Sequence, residues 1–208
     1  MKTNSKHLGL VTKKFNEFFL VDIKNQENYG NSERFLCKVR KSINFKDQFI
    51  YVGDEVEIDN IDLTSKRAVI ASLKKRQNLL NRPSVANISN IYITFSVEEP
   101  KLNLSQVNRF LISAESMGVE VSLVLTKCDL ISDKKQIFLL DKFKKWGYQA
   151  ITLNLHKSDH FEDLLAQLKK KKCSIFMGPS GVGKTTLLNK IIPGLQNSTA
   201  PVSNKIKR

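Results

Sequence analysis

The chain has 208 residues, of which 41% are hydrophobic, so it is long and apolar enough for one large domain or two small ones. It has no apolar run of membrane-spanning length and no apolar signal region near Met1, so we expect a cytoplasmic protein with no membrane partner. The net charge of +14 is spread along the chain and favours a polyanionic partner such as RNA, although solvated surface lysines fit it equally.

The three cysteines are far apart in the sequence, at Cys37, Cys128 and Cys173. None of them forms a C-x-x-C pair with another, which is the spacing typical of zinc sites and redox motifs. The spacing therefore argues against a disulfide framework and against a zinc site within these residues.

Short segments that alternate like β-strands fill the first 75 residues, and turn-rich segments separate them. The pattern predicts strands at 8–11, 18–23, 35–40, 55–58 and 67–71. Five short strands without a helical pattern predict a small barrel, for which the oligonucleotide-binding (OB) fold is the commonest choice. Aromatic residues of this region fit either stacking on bases or filling the core: Phe18, Phe35, Phe45, Phe49 and Tyr51.

From residue 77 the pattern changes to strands that alternate with helices. Strands are predicted at 88–95, 119–125, 148–153 and 173–177, and connecting helices begin near Leu104, Ser132 and Ser158. In the second of these helices the predicted apolar residues are Ile137, Leu140 and Phe143. The alternation predicts an α/β domain with a doubly wound parallel sheet, so we expect two domains, at 1–76 and 77–208.

A glycine-rich loop connects the last predicted strand to a helix at 186–192. It fits the pattern G-x-x-x-x-G-K-[ST] at every fixed position, and such a loop surrounds phosphates with backbone N–H groups at the positive end of a helix. We expect Lys184 to contact the β- and γ-phosphates and the Thr185 hydroxyl to be a ligand of Mg²⁺. This phosphate loop comprises Gly178, Pro179, Ser180, Gly181, Val182, Gly183, Lys184, Thr185 and Thr186.

The predicted strand at 119–125 leads into T-K-x-D at residues 126–129, a near match to the guanine-specific pattern N-K-x-D. Asp129 is expected to accept hydrogen bonds from guanine N1–H and the 2-amino group, which adenine cannot donate, and the stem of Lys127 to lie along the base. Thr126 replaces the Asn whose amide would tie this base element (residues 126–129) to the phosphate loop. We therefore expect looser nucleotide binding.

A second guanine contact is predicted where the next strand ends. Asn154, Leu155 and His156 stand where a backbone N–H would meet guanine O6. Taken alone, T-K-x-D is more commonly a helix N-cap beside a solvated charge. Together with a phosphate loop at the carboxyl end of the same sheet, it predicts a guanine-nucleotide site.

The base element precedes the phosphate loop, which reverses the order found in ordinary small GTPases. This order resembles that of the circularly permuted GTPases. The match extends to the barrel, to Gly53-Asp54-x-Val56 within it and to Arg82-Pro83-x-x-Ala86-Asn87 after it. Over essentially all 208 residues the chain therefore resembles the ribosome small subunit-dependent GTPase A family.

The resemblance implies a monomeric GTPase that uses GTP/GDP and Mg²⁺ late in maturation of the small (30S) ribosomal subunit and binds 16S rRNA through its barrel. The family continues with switch, D-x-x-G and zinc-binding regions beyond the phosphate-loop helix, whereas this sequence stops at Arg208. We therefore expect a truncated chain with 173–177 as an edge strand, no zinc ligands and a polar, disordered 197–208.

Three functions remain open at this point. The first is a GTPase in 30S maturation, for which the residues identify no catalytic side chain. The second is a fragment that binds RNA and guanine nucleotide without hydrolysis, since the switch elements are missing. The third is a kinase or ATPase with a phosphate loop, which leaves T-K-x-D and the motif order unexplained.

Overall fold

The computed structural model describes residues 2–3, 6–24, 32–40, 49–154 and 161–192. Contacts divide the chain into two compact units, Met1–Ile88 and Ser89–Arg208. The boundary between them follows a hairpin at 79–86 that the sequence does not predict, whereas the predicted domain boundary lies at residue 76.

The first unit is built on a closed five-stranded barrel, as predicted. Its strands are β2 (His7–Phe15), β3 (Phe18–Lys24), β4 (Ser32–Val39), β5 (Glu55–Asp62) and β6 (Arg67–Leu73). Pairing runs β5-β2-β3-β4-β6, and an additional β5–β6 pairing closes the ring, with only β4 and β6 parallel. A short strand, β1 (Lys2–Thr3), adds to β5. All five predicted strands are present; four extend beyond their predicted bounds, and β4 begins three residues earlier and ends one residue earlier than predicted.

The barrel core contains apolar side chains from every strand of the ring, because alternate residues of a strand point to the same face. The aromatic residues differ in burial: Phe35 lies in this core, as one of the two predictions has it, whereas Phe49 is 70% exposed. Phe45 lies outside the described residues. The core comprises Val11, Phe19, Val21, Phe35, Cys37, Ile50, Val56, Ile58, Ile61, Ala68 and Ile70.

A buried ion pair holds the segment that follows the barrel. Asp54 is fully buried, and its Oδ1 and Oδ2 accept hydrogen bonds of 2.7 and 2.8 Å from Nε and Nη2 of Arg76. The backbone N–H of Tyr51 donates to Oδ2 at 2.8 Å as well. Asp54 thus has the several donors that a buried carboxylate needs.

The unpredicted hairpin is joined to the same turn of the barrel. It consists of β7 (Leu79–Asn81) and β8 (Ser84–Ala86). The Asn87 side-chain amide donates to the Gly53 carbonyl at 2.9 Å, and a Cβ at Gly53, where φ is +89°, would lie 2.0 Å from the Ala86 carbonyl oxygen. The two motifs Gly53-Asp54 and Ala86-Asn87 therefore form one joint, and only glycine fits at residue 53.

The second unit is an α/β fold with four parallel strands. In chain order its elements are β9 (Asn90–Ser96), α1 (Leu104–Glu115), β10 (Glu120–Thr126), α2 (Asp133–Lys145), β11 (Ala150–Thr152), α3 (Phe161–Lys169), β12 (Ser174–Met177) and α4 (Lys184–Ile191). The strand order is β11-β10-β9-β12, with every pairing parallel. Within the described ranges, β12 is an edge strand, as expected.

Helices pack on both faces of this sheet, so it is doubly wound as predicted. On one face, Phe110 of α1 meets Phe95 edge to face with ring centroids 5.6 Å apart. On the other face, α3 and α4 contribute to an apolar cluster with the strands, and every residue of β9 is buried. The cluster comprises Tyr92, Val124, Leu153, Phe161, Leu164 and Leu187.

The predicted apolar face of α2 is wrong in part. Phe143 is buried as expected, but its buried partner is Leu139, one turn earlier, while Ile137 is 59% exposed. Leu139 and Phe143 are four residues apart and so lie on one side of the helix, whereas Ile137 and Phe143 are six apart and do not. Leu140 is only half-buried. Phe138, next to Ile137, is exposed as well.

Candidate functional site

The phosphate loop lies between the carboxyl end of β12 and α4. Three of its glycines have positive φ angles: 153° at Gly178, 82° at Gly181 and 90° at Gly183. A Cβ at residue 178 would lie 2.1 Å from the carbonyl oxygen of Thr94 in β9. Glycine is therefore required where the loop leaves the sheet, because the loop backbone passes directly against the neighbouring strand.

Lys184, the first residue of α4, folds back over this loop. Its Nζ donates hydrogen bonds to the carbonyl oxygens of Gly178 at 2.9 Å and Pro179 at 2.5 Å. Burial lowers the pKa of this lysine, which has neutral carbonyl partners there rather than a carboxylate. Thr185 follows half-buried and Thr186 exposed. The ammonium is thus held inside the loop, where an anion would contact it.

The base element follows β10 in a tight turn. Lys127 has a left-handed backbone with φ of 57°, and residues 128–130 form a single 3₁₀ turn that leaves Asp129 exposed. The Lys127 Nζ donates to the backbone carbonyl of Glu99, in the loop after β9. Nothing in the sequence pattern indicated Glu99, because a backbone carbonyl carries no residue signature.

The second predicted base contact begins beside this turn. Leu153 donates its backbone N–H to the Leu125 carbonyl at 2.7 Å, and Cys128 donates to the Leu153 carbonyl at 3.5 Å. Asn154 follows directly after and is half-exposed. Leu155 and His156 lie outside the described residues.

One strand, β9, separates the two motifs. Its Ser96 is in register with Thr126 of β10, and its Ile93 is in register with Met177 of β12. Adjacent strands are about 4.8 Å apart, so β10 and β12 are separated by about 10 Å. Because all four strands are parallel, the phosphate loop, the base element and Asn154 lie along the same carboxyl edge.

Thr126 joins the two motifs directly. The Thr126 hydroxyl donates a 2.6 Å hydrogen bond to the carbonyl of Val182 in the phosphate loop, and both residues are buried. The expectation that threonine removes the tie between base element and phosphate loop is therefore wrong. The hydroxyl provides this connection without the amide, because the loop runs close enough to the end of β10 for a short side chain to reach it.

In the part of the chain that the structure describes, no group of three or more His, Cys, Asp or Glu side chains is arranged to hold a metal ion. No helix among those residues is long and apolar enough to cross a membrane. The thiols of Cys37 and Cys128 are buried, and this burial raises their pKa values to about 12 and about 11. Both thiols are therefore protonated near neutral pH, when a cysteine is a poor nucleophile and metal ligand.

Comparison with known proteins identifies close relatives. The sequence model of the RsgA GTPase family matches residues 73–208. The chain is 40% identical to the small ribosomal subunit biogenesis GTPase RsgA of Prochlorococcus marinus (strain NATL1A), over 99% of this chain and 68% of that protein. It is 32% identical to the protein of that name from Parasynechococcus marenigrum (strain WH8102), over 98% of this chain and 68% of that one.

Two solved structures share the fold. YjeQ from Thermotoga maritima superposes with a TM-score of 0.80 at 30% identity, over 92% of this chain and 66% of that one. YloQ, described as a circularly permuted GTPase, superposes with a TM-score of 0.76 at 24% identity, over 89% of this chain and 64% of that one. The chain thus spans about two thirds of the length of these relatives.

Proposed function

Because this chain belongs to the RsgA GTPase family, we propose that it binds guanine nucleotide at the carboxyl edge of its parallel sheet and hydrolyses GTP in biogenesis of the small ribosomal subunit. The observation that carries the proposal is the hydrogen bond from Thr126 to Val182, which connects a T-K-x-D element to a phosphate loop across a single strand. A kinase or ATPase would have no use for the base element.

The phosphate loop supplies the binding energy for the phosphates. Its backbone N–H groups and the amino end of α4 are oriented before the nucleotide arrives, which lowers the cost of ordering them. Lys184 would exchange its two carbonyl partners for oxygens of the β- and γ-phosphates. That exchange replaces neutral acceptors with charged ones and so favours the ammonium form.

Magnesium fits the donor set around Thr185. Mg²⁺ usually takes one or two protein ligands and completes its shell with phosphate oxygens and water, and the half-buried Thr185 hydroxyl offers one such ligand. Thr185 would therefore hold the ion, which neutralises negative charge on the β- and γ-phosphates when bound.

Guanine selectivity would come from the base element. Asp129 is exposed and has an oxygen available for each of the two guanine donors, while Lys127, held by Glu99, would lie along the base. Asn154, Leu155 and His156 are proposed for guanine O6. Because adenine offers no donor at these two positions, it would leave the carboxylate unpaired.

Substituting Asp129 with alanine tests this assignment. We expect Asp129→Ala to reduce the preference for GTP over ATP by about tenfold or more, since two hydrogen bonds to a charged acceptor are lost. Calorimetric titration with both nucleotides measures the effect. The matched control is Asp133→Ala, an exposed aspartate in the first turn of α2, which should leave the preference unchanged. Tighter binding of ATP than GTP by the native chain would refute the proposal.

The link between the motifs makes a separate prediction. Thr126→Val keeps the side-chain shape but leaves the buried Val182 carbonyl without its donor, so GDP affinity should fall about tenfold. Thr126→Ser retains the hydroxyl and should bind GDP much as the native chain does. Equal GDP affinity for the valine and serine variants, by calorimetry, would mean that the hydroxyl does not support the site.

We further propose that the chain acts as a cytoplasmic monomer and binds 16S rRNA through its barrel. Support comes from the β2–β3 hairpin, where Phe15 and Phe18 are cross-strand partners. The Nζ of Lys13 lies 4.7 Å from the centroid of the Phe15 ring, and the Nζ of Lys38 lies 4.6 Å from that of Phe18. Rings flanked by ammonium groups suit unpaired bases and the phosphates next to them.

A further inference from the structure

Helix α2 carries a row of alternating cations and aromatic rings on its outer side. Lys134, Phe138, Lys142 and Trp146 follow one another at intervals of four residues, so they lie along one side of the helix. Phe138 is 63% exposed, and the adjacent Ile137 is 59% exposed. Exposed apolar side chains that lie next to one another and are bordered by polar residues are typical of an interaction surface, whereas single ones are not.

The structure holds this row in place. The Trp146 ring packs edge to face on the buried Phe143, with ring centroids 5.5 Å apart. The Nζ of Lys142 lies 5.9 Å from the Phe138 ring centroid and 5.8 Å from that of Trp146. One ammonium thus bridges two rings, of which one is fixed to the core, so little further ordering is needed for a ligand to bind.

The charge of the helix indicates the kind of ligand. Its thirteen residues include five lysines and two aspartates, and Lys135 pairs with Glu98 at 2.6 Å. Lysine is depleted in interfaces between proteins. Surfaces that bind single-stranded nucleic acid combine cations for the phosphates with aromatic rings for the bases. The row therefore fits unpaired RNA better than a protein.

We propose that Lys134, Phe138, Lys142 and Trp146, the α2 row, form an RNA-binding surface on the second unit. Bases would stack on Phe138 and Trp146, while Lys142 would meet a phosphate. This inference rests on the proposed function, because it assigns part of the ribosomal partner to residues of the second unit that the nucleotide proposal does not use.

The only tryptophan of the chain lies in this row, so its fluorescence reports on this surface. We titrate the full chain with a short, end-labelled single-stranded oligoadenylate, following label anisotropy for total binding and Trp146 emission for binding at α2. Emission should be quenched as the complex forms. Phe138→Ala should lower the affinity measured from the quenching about tenfold, since base stacking contributes about 1–3 kcal/mol. Lys142→Gln should reduce the slope of log affinity against log salt concentration by about 0.7, which is the value for one lost phosphate contact with a single strand.

Two control variants match these changes in chemistry. Ile112→Ala removes an apolar side chain that is 68% exposed on α1, and Lys170→Gln removes an exposed lysine after α3. In both variants the oligoadenylate should quench Trp146 emission as it does in the native chain. If Phe138→Ala and Lys142→Gln have the native affinity by quenching, or if Ile112→Ala lowers the affinity as much as Phe138→Ala does, the inference is wrong.

The remaining outcomes separate this inference from the proposed function. If anisotropy rises while Trp146 emission stays constant, RNA binds elsewhere, so the α2 row is refuted and RNA binding by the barrel stands. If isolated small subunits quench Trp146 and the oligoadenylate does not, the α2 row contacts the subunit by some means other than binding unpaired RNA, and the inference is refuted. If GTP fails to bind but the α2 variants weaken quenching as expected, the inference stands and the nucleotide proposal fails.

Discussion

Replacing Lys184 with alanine is expected to weaken GDP and GTP binding about a hundredfold. The ammonium is held within the phosphate loop by the Gly178 and Pro179 carbonyls, where it would pair with two phosphate groups. Each charge-assisted hydrogen bond contributes about 1.5–3 kcal/mol, and the two carbonyl hydrogen bonds that the ammonium gives up offset part of the loss, which leaves about a hundredfold. Calorimetry with each nucleotide measures it, and Lys170→Ala is the control for loss of one positive charge.

The pH dependence of binding provides a second test of Lys184. Because burial lowers its pKa, this lysine loses its proton at a lower pH than a free lysine does. The charge that attracts phosphate is present below that pKa and absent above it, so GDP affinity of the native chain should fall as pH rises through it. In Lys184→Ala this alkaline decline should disappear. A native affinity that stays constant across the alkaline range would contradict the assigned role.

The second large effect is expected in the barrel unit, where Asp54→Ala should lower the free energy of unfolding by about 3–5 kcal/mol. Asp54 is fully buried and Arg76 largely so, and removing one partner leaves the other charge without compensation in a poorly solvated site. Hydrogen exchange of the β5 amides measures the unfolding free energy of this unit independently of the sheet unit.

An exposed ion pair in the same barrel serves as control. Lys66 and Glu33 are 2.8 Å apart with side chains 51% and 40% exposed, so Glu33→Ala should cost less than about 1 kcal/mol. The double variant Asp54→Ala/Arg76→Ala should be more stable than the sum of the single changes predicts. Additive losses, or a loss for Asp54→Ala as small as for Glu33→Ala, would show that the pair does not hold the joint.

The sequence was sufficient for the barrel and the parallel sheet because both depend on apolar patterns that repeat along the chain. The strands β2 to β6 show alternation of apolar and polar residues, and β9 and β10 are continuous apolar runs. Each pattern is local and predicts one strand without information from the rest of the chain. The hairpin at 79–86 has no such signal. Its strands have three residues each. Its position is determined by contacts between residues that are distant in the sequence, such as the hydrogen bond of Asn87 to Gly53 in the barrel turn and that of Gln77 to Asn87.

The site was predictable in its parts, and its internal connection was not. Fixed spacings identify the phosphate loop and the base element, and the parallel strands put both on one edge. Whether Thr126 reaches Val182 depends on a few ångströms of separation across β9, which no spacing encodes. The same limit applies to α2, where apolar residues occur on more than one side of the helix and the pattern alone did not determine that Leu139 rather than Ile137 is buried.

The strand order also dictates when the nucleotide site can be completed during synthesis. Among the strands that the structure describes in this sheet, β9 is the first to leave the ribosome, and its neighbour β12 is the last. Ser89 and Cys173, whose hydrogen bonds of 2.8–3.0 Å join the starts of these strands, are 84 positions apart. The base element therefore leaves the ribosome before the phosphate loop, at a stage when one flank of β9 still lacks its neighbouring strand. A nucleotide that needs both motifs, as proposed, is bound only after β12 and the phosphate loop have been synthesised.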